Sequence, residues 1–137
     1  MNRHIETVQP AEWAPPKGYA NGVVARGRTL YVAGQIGWNE QGVFESEGMA
    51  EQFAKALDNV LAVVRAAGGE PTDIVRMTVY VTDLEAYRQS TRAIGKAWKE
   101  RLGKHFPAMA LVGVTGLVET RALVEIEATA CLAEVPA

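Results

Sequence analysis

The stretch Leu123-Val124-Glu125-Ile126-Glu127-Ala128-Thr129-Ala130-Cys131-Leu132 decides the fold. Its side chains alternate. Val124, Ile126, Ala128 and Ala130 share one face, and Glu125, Glu127, Thr129 and Cys131 share the other. Alternation of period two reads as a strand with one face against a core. The apolar face needs a covering layer, so the carboxylate face looks away from it, to solvent or to another subunit.

Working outward, the covering layer is legible in two amphipathic segments. Between Met49 and Ala67 the apolar positions are Met49, Phe53, Ala56, Leu57, Val60, Leu61 and Val64, a helical spacing that leaves Glu51, Lys55, Asp58 and Arg65 outside. Gly68-Gly69 ends that helix, and Pro71-Thr72-Asp73 follows as a turn. Ile74 to Val81 is a strand in which Val75, Met77, Val79 and Val81 alternate. Asp83 is placed to cap a second helix, whose stripe runs Leu84, Tyr87, Thr91, Ile94, Trp98 and Leu102 and stops at Gly103. Phe106-Pro107 opens an extended run over 108–114, and Gly116 to Arg121 is a turn.

Toward the N-terminus, Val23–Arg26 and Thr29–Gly34 flank Gly27-Arg28, which reads as a hairpin around a two-residue turn. Residues 37–48 read as a loop. Residues 1–18, with Pro10, Pro15, Pro16 and Gly18, read as an irregular lead-in that Trp13 pins to the body. The order is β-β-α-β-α-β-β: an α/β (α+β) chain, a single domain over 1–137, with a mixed sheet carrying two helices on one face. The sheet offers apolar groups on its other side as well, which in so small a chain points to burial by oligomerisation.

Composition excludes several function classes. The 137 residues are 48% apolar and 22% charged, with a formal charge of −2. No basic excess argues for nucleic acid or an anionic membrane surface. No apolar run approaches the ~18 residues of a membrane-spanning helix, and the first 20 residues lack a signal-peptide core. The single cysteine, Cys131, cannot form an internal disulfide, which fits a reducing compartment such as the cytoplasm. It reads as an inert thiol, with no base near it in sequence. His4 and His105 are too far apart for zinc-site spacing, and no phosphate-loop, nucleophile-elbow or dinucleotide fingerprint occurs, so no metal or nucleotide held in those familiar ways is expected.

Five motifs in register carry a resemblance over roughly residues 17–132. They are Val32-Ala33-Gly34-Gln35-Ile36, Leu57-Asp58-Asn59-Val60-Leu61, the run Asp73 to Leu84, Phe106-Pro107-Ala108, and Val124-Glu125-Ile126-Glu127-Ala128. Together they resemble the YjgF/RidA family, the reactive-intermediate imine deaminases. The resemblance implies a chorismate-mutase-like fold and a homotrimer with ligand clefts between subunits. It also implies cofactor-free hydrolysis of enamines and imines to a carbonyl product and ammonia. An imine carbon is already electrophilic, so a protein need only hold the substrate, place a water and move protons.

Carried over residue by residue, the resemblance implies that Glu125 orients the water, that the Gly34 N–H faces the ligand, and that Tyr19 lies near the cleft entrance. Three positions depart from the pattern. Met109 stands where the family has a carboxylate-clamping arginine, Ala33 where a serine usually precedes the glycine, and Thr91 where the second helix has an asparagine. A guanidinium on a carboxylate is a charge-assisted fork, whereas a thioether offers soft apolar contact. The expected substrate therefore differs from the small 2-imino acids, unless Arg26, Arg28, Arg88, Arg92 or Arg121 supplies the clamp.

A dry pocket lined by Met109, Trp38 and Leu111 would favour an apolar ligand. Trp38 otherwise covers core. Read from the strand alone, Glu125 and Glu127 are solvated carboxylates or partners of Arg76, and the resemblance moves Glu125 into the cleft. His105 reads as a loop-packing histidine beside the cleft strand, with proton transfer as the alternative. The alternative to an enzyme is a trimer that binds a small metabolite without turnover. Nucleic-acid processing, attached to some relatives, is disfavoured by the acidic balance.

Overall fold

The computed structural model describes residues 4–134. The strands are β1 (Ile5–Val8), β2 (Gly22–Ala25), β3 (Arg28–Ile36), β4 (Ile74–Val81), β5 (Ala108–Gly113) and β6 (Val124–Leu132). The helices are α1 (Met49–Ala66), α2 (Leu84–Gln89) and α3 (Thr91–Leu102), with a 3-10 turn at Pro71–Asp73. The main sheet has the order β3-β6-β4-β5. β6 pairs antiparallel with both β3 and β4, while β4 and β5 are parallel, so the chain between them crosses over through α2 and α3.

All three helices lie on one side of this mixed sheet. Val124, Ile126 and Ala130 of β6 are fully buried, as are Met77, Val79 and Val81 of β4. Against them α1 presents Phe53, Ala56, Leu57, Val60, Leu61 and Val64, all at most 2% exposed. Each of the larger of these side chains contributes roughly 1.5–3 kcal/mol by leaving water. α3 adds Ile94, Trp98 and Leu102 to the same core. It is tied to α1 by Arg101, whose Nε and Nη2 donate to the Asp58 carboxylate at 2.6 and 3.2 Å. No helix among the described residues is long and apolar enough to cross a membrane.

Four expectations need correction. First, the lead-in is not wholly irregular, because Ile5–Val8 pairs antiparallel with β2 in a separate two-stranded sheet. Second, β2 and β3 therefore do not form a hairpin: β3 pairs with β6 instead. Gly27, at φ +148°, is needed there for close approach, since a Cβ would overlap the Leu132 carbonyl at the end of β6.

Third, the second helix is two helices. The Ser90 hydroxyl donates to the Ala86 carbonyl at 2.8 Å, and the chain is redirected at Ser90 between α2 and α3. Fourth, Trp13 is 61% exposed and pins nothing. The N-terminal segment is held instead by β1–β2 pairing, by His4 Nε2 donating to the Cys131 carbonyl at 2.8 Å, and by Ala20 N–H donating to Pro107 O at 2.9 Å. The Asp83 cap is as expected, its carboxylate accepting from the Ala86 N–H at 3.0 Å.

Candidate functional site

The residues singled out in the sequence fall into two groups on opposite faces of the sheet. The first group centres on β3 and β6. Register slips between Val32 and Gln35, so Ala33 and Gly34 form a bulge opposite β6. A bulge leaves an extra residue out of the ladder and bends the strand, a common way to re-aim groups toward a ligand. Gly34 is exposed, and the Glu125 carboxylate lies directly over it, so close that a Cβ at Gly34 would overlap Oε2.

Glu125 makes no hydrogen bond or ion pair among the described residues, whereas its neighbour Glu127 is engaged, accepting from the Tyr80 hydroxyl. That hydrogen bond is the main reason the Tyr80 phenol is pushed above its ordinary range. Strand register thus separates the two carboxylates: one is held, the other is free to hold a water.

The same sheet face carries Tyr31, Arg76, Thr78 and Thr129, which with Glu127 line a shallow depression of about 190 Å³. Tyr31 is 78% exposed, an aromatic ring standing clear of the polar groups that line this depression.

The second group lies on the helix side. Met109 and Leu111 of β5 pair with Met77 and Val79, both fully buried toward the helices. With Thr91 they line a cavity of about 430 Å³ between α2, α3 and β5. Phe53, Tyr87, Ile94 and Trp98 supply most of the remaining wall, and no arginine lines it. Gly18 reaches the cavity and Ala20 bridges to Ala108, so Tyr19 sits between them, 41% exposed, beside the start of β5. Trp38 is elsewhere: its ring packs 5.9 Å from Phe44, in a small cluster with Ile36 and Ala122.

Two other candidates have structural partners. A carbonyl can only accept, so His105 carries its proton on Nε2 where it meets the Ile74 carbonyl at 2.7 Å. The His105 carbonyl accepts from Trp98 Nε1 at 3.1 Å, and the Trp98 ring stacks on Phe106 at 5.9 Å. Cys131 is 6% exposed, and burial pushes its thiol above the ordinary range. Ellman's reagent is therefore expected to label the native protein at least roughly tenfold more slowly than the urea-unfolded chain. Equal rates would show an accessible thiol.

Sequence reasoning missed Gln52, a buried residue that fixes the approach to Glu125. Its Nε2 donates to Ser46 O and Arg121 O at 3.1 and 3.0 Å, and its Oε1 accepts from Leu123 N–H at 2.8 Å. The available signal was position: Gln52 is a polar residue on the apolar stripe of α1, three residues after Met49 and four before Ala56. Lys99 and Lys104, at the rim of the cavity, were also missed. Nothing in the sequence distinguishes them from other surface lysines.

Comparison with known proteins gives a consistent picture. The pattern of the family described as endoribonuclease L-PSP matches residues 10–132. A human protein named 2-iminobutanoate/2-iminopropanoate deaminase is 34% identical over 104 residues, covering 75% of this chain and 72% of its own. The RutC family protein UK114 of Drosophila melanogaster is 33% identical over 124 residues, 90% of this chain and 86% of its own. Among solved structures, a conserved Rid-family protein of unknown function from Yersinia pestis superposes with a TM-score of 0.84 at 33% identity, covering 94% of this chain and 99% of that one. The YjgF gene product of E. coli does so with a TM-score of 0.67 at 35% identity, covering 89% and 91%.

Proposed function

From the premise that the chain belongs to the endoribonuclease L-PSP family, the YjgF/RidA family that its motifs resemble, we propose that it is a cofactor-independent deaminase of small reactive enamines and imines. The observation that carries this reading is the unpaired Glu125 carboxylate over the Gly34 bulge. Water held by Glu125 adds to the carbon of the protonated imine as the carboxylate takes its proton, and the carboxyl then returns that proton to the nitrogen. The resulting amino-alcohol then collapses to a carbonyl and releases ammonia, so imine and water give carbonyl compound and ammonia. Backbone N–H groups at the bulge suit a substrate oxygen or the charge that develops on it.

One protomer cannot present both groups of residues to one small molecule. Glu125 faces away from the helices, Met109 and Leu111 face toward them, and β4 stands between β6 and β5. Adjacent strands are about 4.8 Å apart, so the two groups are separated by roughly 10 Å as well as by the sheet. A second copy resolves this if the carboxylate face of one protomer meets the cavity side of the next, and a homotrimer closes three such clefts. The exposed Tyr31, with Val112 of β5 at 42%, supports burial of this sheet face.

The test is competition with semicarbazide. A flavin amino-acid oxidase generates imines in situ, semicarbazide traps them, and an active deaminase lowers the trapping rate. No effect across a panel of side chains, from folded protein, would favour a metabolite-binding role instead. Because Met109 brings no charge to the cavity, Met109→Arg is expected to raise hydrolysis of short 2-imino acids by roughly tenfold or more, a charge-assisted bond to the carboxylate being worth ~1.5–3 kcal/mol. An unchanged or reduced rate on those substrates would show that Met109 does not face them.

A further inference from the structure

The cavity between α3 and β5 is larger and drier than a three- or four-carbon imine requires. At about 430 Å³ it lies within the range of pockets built for whole ligands. Its apolar wall includes Phe53, Ile94, Trp98, Met109 and Leu111, Tyr87 and Thr91 add the hydroxyls, and no carboxylate is among its lining residues. The cavity opens to solvent past Gly95, Lys99 and Lys104, and a contiguous apolar surface left accessible in this way marks a ligand or partner site. Gly95 of α3 thins one side: it lines the cavity, and a Cβ there would meet nothing within 4 Å.

The charges at the cavity are Lys99 and Lys104, both exposed and neither in an ion pair or hydrogen bond among the described residues. Two unpaired ammonium groups beside an apolar chamber match a ligand with a large hydrocarbon end and a carboxylate end. Flexible lysine stems place a point charge without the fixed fork of an arginine.

We propose that this cavity is the side-chain subsite for imino acids with a large apolar side chain, branched aliphatic or aryl. Lys99 and Lys104 hold the carboxylate in place of a strand arginine. The inference rests on the imine-hydrolysis reading for its substrate, though binding tests it separately. Trp98 and Ile94 contact the side chain, and the imine carbon, which bears the carboxylate directly, lies beside it at the Lys99 and Lys104 rim.

The experiment is titration calorimetry of the full-length protein with 2-oxo acids, the expected hydrolysis products. Each buried methylene is worth up to roughly fourfold in affinity. 4-Methyl-2-oxopentanoate and phenylpyruvate are therefore expected to bind at least about tenfold more tightly than pyruvate. Gly95→Leu fills the chamber from a helix position with open space, so it is expected to abolish that preference with no loss of thermal stability. Lys99→Gln combined with Lys104→Gln is expected to erase discrimination between 4-methyl-2-oxopentanoate and its amide.

Equal affinity for pyruvate and the larger acids, or a preference untouched by Gly95→Leu, would overturn the proposal. The two readings fail separately. Tight binding of the larger acids with no imine turnover would overturn the deaminase and leave the subsite. Turnover of imines without a size preference would overturn the subsite and leave the deaminase.

Discussion

Glu125→Gln is expected to lower imine hydrolysis by about 10²–10⁴-fold, the usual worth of a positioned general base. The amide has nearly the shape of the carboxylate but cannot take a proton from water. Glu125 makes no hydrogen bond or ion pair among the described residues, so its replacement disturbs no structural contact and folding should be retained. Gly34→Ala supplies an independent arm. A methyl at Gly34 would occupy the space of the Glu125 carboxylate and reach within 2.8 and 3.0 Å of Cδ and Cγ, so the side chain must swing away. Its expected effect is a large fall in rate with the carboxylate chemically intact, since misplacement of a catalytic group by about 1 Å can cost ~10²-fold. Semicarbazide competition measures both variants, and circular dichroism with sedimentation establishes fold and assembly. Full activity in Glu125→Gln would remove Glu125 from the chemistry.

Gln52→Met is expected to destabilise the protein by about 3 kcal/mol, seen as a fall in the urea midpoint with an unchanged slope. Gln52 is 1% exposed and serves three backbone groups at once: the carbonyls of Ser46 and Arg121 and the N–H of Leu123. Methionine keeps the length and volume but satisfies none of them, and each buried group left unpaired costs roughly 1–3 kcal/mol. The environment cannot relax easily, because the chain at Gly37 packs on the Gln52 backbone so tightly that a Cβ would come within 2.8 Å. For a chain of this size the melting temperature is expected to drop by roughly 10 °C. The effect extends to the site, since Leu123 is two residues before Glu125 and its hydrogen bond fixes where β6 begins. A midpoint within error of the parent protein would show that water replaces the amide at no cost.

The elements that the sequence revealed are those whose information is local. Val124 to Ala130 alternates because a strand has two faces, and Val124, Ile126, Ala128 and Ala130 are buried as the pattern requires. The stripe of α1 and the Asp83 cap follow from helical periodicity and from the short reach of an aspartate. The misread elements depend on choices between partners. Gly27-Arg28 has hairpin chemistry, but the nine residues of β3 have a longer ladder available with β6, and β2 is left to pair with β1. The stripe from Leu84 to Leu102 is continuous to the eye, and the break at Ser90 arises from one hydroxyl competing for a backbone carbonyl.

By itself, then, the sequence determined which side of each element is apolar, where α1 and α2 begin, where α1 and α3 stop, and, through five motifs in register, the family. Only the tertiary structure decided which faces meet. It laid the Glu125 carboxylate on the Gly34 bulge and set Met109, Leu111 and Thr91 around an apolar cavity on the opposite side of the sheet. Periodicity assigns a side chain to a face within its own strand or helix. Strand order and register, which come from pairing between residues as distant as Tyr31 and Thr129, decide what that face looks upon.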